Sequence, residues 1–266
     1  MLKTRVVTAI IMVAVGLAAL FLAPPPLFAA LAAVLLLGLG GWEAGRMAGL
    51  EQSRQAPVFA AVLLGLGTAV FLLAGAEISR WLLLLGALGW LCLLCWLARP
   101  QAGQDLRALK LLLLGAVLLA AWLALVILQQ GSPWLVVMPV VVIAAADIGA
   151  YFTGRSIGGP KLAPAISPGK TISGAVGGVL AAAAVAAGAA VALPQAPFAL
   201  LPAAMIGTLL AVLSIGGDLS ISLLKRQQGL KDTSAIFPGH GGVLDRFDSL
   251  GAALPFFALA WLWWGQ

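Results

Sequence analysis

The sequence predicts an all-α, polytopic integral membrane protein with about nine transmembrane helices and a cytoplasmic N-terminus. Three observations predict it. Of 266 residues, 62% are hydrophobic and only 9% charged. An ordinary soluble domain carries about 25% charged residues, so this chain cannot cover a water-soluble globule. Its apolar residues gather into runs close to the roughly 20 residues a helix needs to cross the hydrocarbon. Its cations fall almost wholly between alternate runs.

The runs lie near residues 5–23, 27–42, 57–75, 81–98, 108–128, 134–153, 172–193, 198–222 and 250–265. Helix-ending residues separate them: Pro24-Pro25-Pro26, Gly131-Ser132-Pro133, and the pair Pro194 and Pro197. The first run follows Lys3 and Arg5 as a secretory leader would, but it is long for one and many spans follow, so it reads as a retained helix. The second and ninth runs are short enough for re-entrant segments. With nine spans, fourteen cations share one side: Lys3, Arg5, Arg46, Arg54, Arg99, Arg107, Lys110, Arg155, Lys161, Lys170, Lys225, Arg226, Lys231 and Arg246. The other side holds Arg80 alone. Lys/Arg bias marks the cytoplasmic face, which places the N-terminus inside and the C-terminus outside. The formal net charge of +6 follows from that bias, and no nucleic-acid partner is expected. Cys92 and Cys95 sit in an apolar run (LGWLCLLCWLA) with no further Cys and no nearby His, so they read as small apolar packing residues rather than a metal site.

The polar residues divide the chain in two. In the first half the acids are Glu43, Glu51, Glu77 and Asp105, all in or beside expected loops. After residue 146 the acids are Asp147, Asp218, Asp232, Asp245 and Asp248, joined by the only His, His240, and the only Tyr, Tyr151. Gly154, Gly158, Gly159, Gly169, Gly174, Gly177 and Gly178 are expected to loosen the sixth loop and the start of the next helix. Residues 1–133 therefore read as a transmembrane scaffold. Residues 134–266 read as the catalytic region, with cytoplasmic loops 154–171 and 223–249.

Two of these acids lie within apolar helices, where an ionisable group is costly and points to function. Asp147 is eight residues before Arg155, roughly 12 Å along a helix, and Tyr151 at i+4 shares its face. Asp218 is seven residues before Lys225, roughly 10 Å deep by the same rise. Ser214, Asp218, Ser222 and Lys225 form a single polar stripe on a greasy helix. A structural hydrogen bond or a proton relay would also account for a lone membrane Asp, but neither accounts for the loop that follows.

That loop, Lys225 to Asp248, reads KRQQGLKDTSAIFPGHGGVLDRFD and packs four cations, three carboxylates, the sole His and four glycines into 24 residues. Lys225, Arg226 and Lys231 can hold several phosphate oxygens at once. Gly239-His240-Gly241-Gly242 lets backbone approach a ligand and offers N–H donors to anions. Asp245 and Asp248 point one way if the last helix starts early, and with Asp218 they make an all-oxygen donor set of the hard type that Mg²⁺ prefers. Carboxylates beside phosphate-binding cations describe a metal–polyphosphate site. A second basic element, Ser167-Pro168-Gly169-Lys170-Thr171, opens the seventh helix with Thr171 or Ser173 as N-cap, a ready anion site. It is not a Walker A loop: position 164 is Pro where that pattern needs Gly, and no strand is expected before it.

The stretch from Ser222 to Asp248 resembles the C-terminal signature of the phosphatidate cytidylyltransferases, the CDP-diacylglycerol synthases. The matching positions are Ser222, Lys225, Arg226, Lys231, Asp232, His240, Gly241, Gly242, Asp245, Arg246 and Asp248. The segment Asp147-x-Gly-Ala-Tyr151-Phe-x-Gly-Arg155 and the segment Ser167-Pro168-x-Lys170-Thr171 also resemble family elements. Two positions depart: Ser173 stands where the family usually has Glu, and Gly169 where Lys is frequent.

The resemblance implies an all-helical membrane enzyme converting CTP and phosphatidic acid into CDP-diacylglycerol and pyrophosphate, with Mg²⁺ and room for a second cation. It also implies a homodimer in a bacterial-type inner membrane, with the active site on the cytoplasmic side among membrane lipids. By resemblance, Asp218, Asp245, Lys225 and Arg226 are catalytic, and Asp218, Asp245 and Asp248 are the metal ligands. Ser167, Lys170, Thr171, Ser222, Lys231, Asp232, His240, Gly241, Gly242, Arg246, Asp147 and Tyr151 bind substrate. Three alternatives stand beside it: a CTP-dependent polyprenol or phytol kinase, a transporter using Asp147 and Asp218, and a non-catalytic scaffold.

Overall fold

The computed structural model describes residues 2–50, 54–193 and 196–265. Of the residues weighed above, Glu51 and Pro194 lie outside the described residues, as do the side chains of Lys3 and Arg5. The helices are α1 (Leu2–Leu22), α2 (Pro25–Ala33), α3 (Gly40–Met47), α4 (Gln55–Leu73), α5 (Ala76–Trp96), α6 (Arg107–Gly131), α7 (Pro133–Ile157), α8 (Ile172–Ala192), α9 (Leu200–Gln227) and α10 (Leu244–Trp264). A π-helical stretch, Val34–Leu39, joins α2 to α3 without a break. Among the described residues eight rods are long and apolar enough to span a membrane, and Val6–Leu22 of α1 adds a shorter apolar helix. The all-α polytopic class is therefore borne out.

Several spans outrun their expected extents: α5 starts at Ala76 and not 81, α7 ends at Ile157 and not 153, and α9 ends at Gln227 and not 222, so Lys225 and Arg226 stand on the helix and not in the loop. The second run is not short: α2, the π-helical stretch and α3 form one rod, Pro25–Met47, of 23 residues. The last helix starts at Leu244, six residues before the expected 250. In both places an apolar run stops at charged residues, Glu43 and Arg46 or Asp245 and Asp248, while the helix continues. Glu43, Arg46 and Asp245 are held by protein partners, so polarity does not mark the helix end.

Large apolar side chains such as Ile10, Leu72, Leu112, Leu180 and Leu201 stand exposed, as faces turned to lipid must. The core is built by α6 and α10, with Trp122, Leu128 and Phe257 fully buried, and α10 also packs on α5, α7 and α9. Without a hydrophobic drive between helices in lipid, small residues allow backbones to approach. A Cβ on Gly178 of α8 would stand 2.7 Å from the Ala146 carbonyl of α7, and one on Gly217 of α9 would stand 2.5 Å from the Asp248 carbonyl of α10. The α8 glycines thus tighten the α7–α8 seam, where the sequence suggested loosening. Gly217 brings Asp218 beside Asp248.

The sixth loop is ordered. α7 continues to Ile157, and Gly158 and Gly159 turn the chain with positive φ. Strand β1 (Lys161–Ala163) then pairs antiparallel with β2 (Ser167–Thr171), matching Lys161 to Thr171 and Ala163 to Ser167. Ile166 is buried with Leu219 and Leu223 of α9, pinning the hairpin there. Thr171 caps α8 by accepting the Gly174 N–H at 3.1 Å. Other bonds draw the remaining loops to the same end: Gln227 Nε2 donates to the Pro100 carbonyl at 2.9 Å, and Arg46 Nη1 to the Thr233 carbonyl at 3.1 Å. The Glu77–Arg80 pair, 2.6 Å apart, lies at the start of α5, at the opposite end.

Candidate active site

Two carboxylate clusters meet at the charged end. The first is closed. Glu43 is fully buried in α3, and its two oxygens receive four donors. Ser234 Oγ (2.5 Å) and Val243 N (2.9 Å) reach Oε1; Thr233 Oγ1 (3.0 Å) and Leu244 N (2.8 Å) reach Oε2. Next to it Asp245, also buried, accepts from Thr233 N at 2.7 Å and Gly242 N at 2.9 Å on Oδ2, which also lies 2.9 Å from Thr233 Oγ1 and shares that hydroxyl's single proton with Glu43 Oε2. Its Oδ1 faces Lys225 Nζ at 2.5 Å in an ion pair whose side chains are 10% and 4% exposed. Fully met lone pairs are what a buried carboxylate requires.

The second cluster is open. Asp147, Asp218 and Asp248 line a cavity of about 410 Å³ with Lys170, Asp245 and Arg246. Lys170 forms an ion pair with Asp218, and Ser222 Oγ donates to Asp218 Oδ1 at 3.3 Å. Asp248 accepts from the Ser249 N–H at 2.7 Å. Asp147 and Lys170 also line an adjoining cavity of about 520 Å³ with Tyr151, Arg155, Lys161, Thr171 and several glycines. There Arg155 Nη1 donates to the Tyr151 hydroxyl at 3.0 Å. Three carboxylates and an ammonium lining one cavity, beside a chamber edged with cations, can hold a cation and a polyanion together.

The fold thus brings together Asp147, Tyr151, Lys170, Thr171, Asp218, Ser222, Asp245, Arg246 and Asp248 around two joined cavities, with Lys225 behind Asp245. Other predicted residues lie apart. Lys231 and Asp232 are exposed on the loop, and the exposed Arg226 donates to the Leu230 carbonyl at 3.4 Å. His240 sits half-buried in the turn bridged by Phe237 and Gly241, and Ser167 opens β2. Neither lines these two cavities. Gly241 and Gly242 back the closed cluster: a Cβ on Gly241 would stand 2.5 Å from Asp245 Oδ2, and one on Gly242 would collide with Glu43 and Thr233. Ser173, where the resemblance expects Glu, donates to the Gly158 carbonyl and shares a hydrogen bond with Thr171 Oγ1 at 3.1 Å.

The sequence reading missed Glu43, Arg46, Thr233 and Ser234 as site residues. Glu43, which the sequence puts in or beside a loop, lies within α3 and accepts hydrogen bonds from residues of the second half of the chain. The available clue was Trp42-Glu43-x-x-Arg46 directly continuing an apolar run. An acid and a base at i and i+3 there mark a helix that persists into a polar pocket.

Mg²⁺ can be judged against these side chains. Among the described residues no three of His, Cys, Asp and Glu converge as a ready-made metal cage. Mg²⁺ characteristically takes one or two carboxylates and completes its shell with water and substrate phosphates. The all-oxygen donors of the open cluster, with the Lys170 ammonium already among them, fit that requirement.

Fold and site define a polytopic membrane protein with two adjoining cavities, lined by carboxylates and cations, at one end of its helices. The chain belongs to the cytidylyltransferase family, whose sequence pattern matches residues 3–263. It is 40% identical over 275 aligned residues to a phosphatidate cytidylyltransferase of Pseudomonas aeruginosa, covering 100% of this chain and 99% of that protein. A phosphatidate cytidylyltransferase of Haemophilus influenzae is 36% identical, over 97% of this chain and 98% of that protein. One from Bacillus subtilis is 45% identical over 116 residues, 44% of this chain and 43% of that protein.

Proposed function

We propose that this chain transfers the cytidylyl group of CTP to phosphatidic acid. A phosphate oxygen of the lipid bonds to the α-phosphorus of CTP, the α–β bridging bond breaks, and pyrophosphate leaves with the bonding electrons, forming CDP-diacylglycerol. The full-length likeness to the Pseudomonas aeruginosa enzyme carries this reading, and the two adjoining cavities support it. The lipid phosphate is already an anionic nucleophile, so the protein's task is to bring two polyanions together and stabilise the departing charge.

Lys170, Arg155 and Lys161 line the chamber suited to phosphates. Arg246 borders the carboxylate cavity, and Lys225 stands behind it on Asp245. Asp218 and Asp248, with Asp245 on the same wall, would hold Mg²⁺, with Asp147 near enough to serve a second cation. Bound there, Mg²⁺ would neutralise phosphate charge in the transition state. Arg226, Lys231, Asp232, His240 and Ser167 belong to the reading through the resemblance alone. The positive ends of the helices favour a cytoplasmic site in the inner membrane, and a homodimer completes the reading.

The test uses purified protein in mixed micelles with phosphatidic acid, α-labelled CTP and Mg²⁺, with and without chelator. Label entering the lipid only with metal is the expected result. Label remaining in CDP while phosphate moves to an added prenol would replace this reading with that of a kinase.

A further inference from the structure

We propose that Glu43 is a positioning residue for cytidylyl transfer, a clamp from the first half of the chain that sets the site loop; the proposal rests on the function proposed above. Three features of the geometry point to it.

The first is how fully Glu43 is used. An ionised carboxylate offers about four lone-pair positions, and all four are taken by segments some 190 to 201 residues away in sequence. The second is where those donors lie. The Thr233 and Ser234 hydroxyls open the segment 233–244, and the Val243 and Leu244 amides close it at the start of α10. One side chain therefore fastens both ends of the segment that carries His240, Gly241 and Gly242. The two amides are orphan donors of a helix N-terminus, and a buried carboxylate there is favoured by both hydrogen bonding and the helix dipole. Immediately after them in α10 come Asp245 and Asp248, so the clamp fixes the helix end from which both project.

The third feature is the link to the reacting region. The Thr233 hydroxyl lies between Glu43 Oε2 (3.0 Å) and Asp245 Oδ2 (2.9 Å), and its backbone N–H also goes to Asp245. Arg46, one turn beyond Glu43, donates to the Thr233 carbonyl. Its guanidinium rests 5.2 Å from the centre of the Trp42 ring. The path runs from Glu43 through Thr233 to Asp245 and on to Lys225, and Asp245 borders the open cavity. Glu43 lines neither of the two joined cavities, which makes it a positioning residue and not a catalytic one.

The test compares Glu43→Gln with the milder Thr233→Val in detergent-purified protein. It reads kcat and KM for CTP, thermal stability, and hydrogen exchange of the 233–244 amides. An amide at position 43 must turn its NH₂ toward two of the four donors. Supporting residues of this kind typically cost 10- to 100-fold when lost. The expected result is a fall in kcat of about 100-fold for Glu43→Gln and about 10-fold for Thr233→Val, with KM for CTP within about 3-fold. Faster exchange across 233–244 should accompany it in protein that remains folded. Wild-type kcat in folded Glu43→Gln overturns the proposal. If Glu43→Gln does not fold, an unchanged kcat in Thr233→Val overturns it. Should the wild-type protein fail to move label into lipid, the functional reading falls and the proposal with it. Exchange in 233–244 that does not change in Glu43→Gln refutes the clamp by itself, whatever the reaction.

Discussion

The two carboxylate clusters stand side by side on the same charged end, yet they are built oppositely. Around Glu43 and Asp245 every oxygen meets a protein donor, and both side chains are buried. Around Asp147, Asp218 and Asp248 there is cavity, and Lys170, on the same wall, pairs with Asp218. A buried carboxylate whose lone pairs are satisfied by its own chain is architecture. One that keeps open valence beside a cavity has been left for something that arrives. The difference teaches that an Asp in this loop is not a metal ligand merely by being an Asp. Asp245 stands on the border, with Oδ2 committed to the loop and Oδ1 to Lys225, while its edge still reaches the open cavity.

The contrast is sharpest in paired substitutions. Asp218→Asn should lower turnover by about a thousand-fold or more. It should hardly change thermal stability in detergent, because its partner Lys170 is partly exposed and water can take the ammonium. Asp245→Asn should lose activity and stability together. It strands the Lys225 ammonium, 10% exposed, and breaking a buried pair from one side costs about 3–5 kcal/mol. That corresponds to a fall in Tm of about 10 °C. Equal stability of the two variants would erase the distinction between the clusters, and near-normal activity of Asp218→Asn would remove it from the proposed metal ligands.

Gly242→Ala probes the closed cluster by volume instead of charge. The added methyl would collide with Glu43 Oε1 and Thr233 Oγ1, which are themselves held and cannot retreat. The loop must then shift, and a misplacement of about 1 Å can cost about 100-fold in rate. Gly65→Ala is the control: nothing lies within 4 Å of its Cβ, so activity should stay within about 2-fold. A Gly242→Ala enzyme as active as the control would mean that the cluster tolerates slack.

How much of this was legible in the sequence follows from which force each feature obeys. Spans announce themselves because a bilayer demands long apolar runs, and each run matches a helical rod, with boundary shifts of up to six residues. The polar cluster of the second half was visible because polar residues are rare in this chain and 225–248 concentrates them. Glu43 was invisible for the same reason that the ends of α3 and α10 were misplaced. A charge ending an apolar run looks solvated, and only the fold reveals donors from two hundred residues away. The hairpin at 161–171 was also hidden, since Lys-Leu-Ala and Ser-Pro-Gly-Lys-Thr have no alternating pattern; Ile166 docking on Leu219 and Leu223 holds it. Likewise Gly241 and Gly242, read as room for a ligand, turn out to make room for Asp245 and Glu43.

The smallest expected effect falls outside both clusters. α5 buries Leu83, Gly86, Ala87, Gly89, Trp90 and Leu93 on one face, and Cys92 and Cys95 are exposed on the other. Toward lipid a thiol is a small apolar group with no partner to lose. The double variant Cys92→Ala with Cys95→Ala should therefore keep activity within about 2-fold and Tm within about 2 °C. A maleimide that labels both thiols should leave cytidylyl transfer unaffected. Inhibition by the reagent, or loss of activity in the double variant, would mean that the scaffold face of α5 communicates with the site. The natural route would be Trp90, which packs near Gly251 of α10, one turn beyond Asp248. The division between a supporting first half and a reacting second half, already crossed at Glu43, would then be crossed a second time.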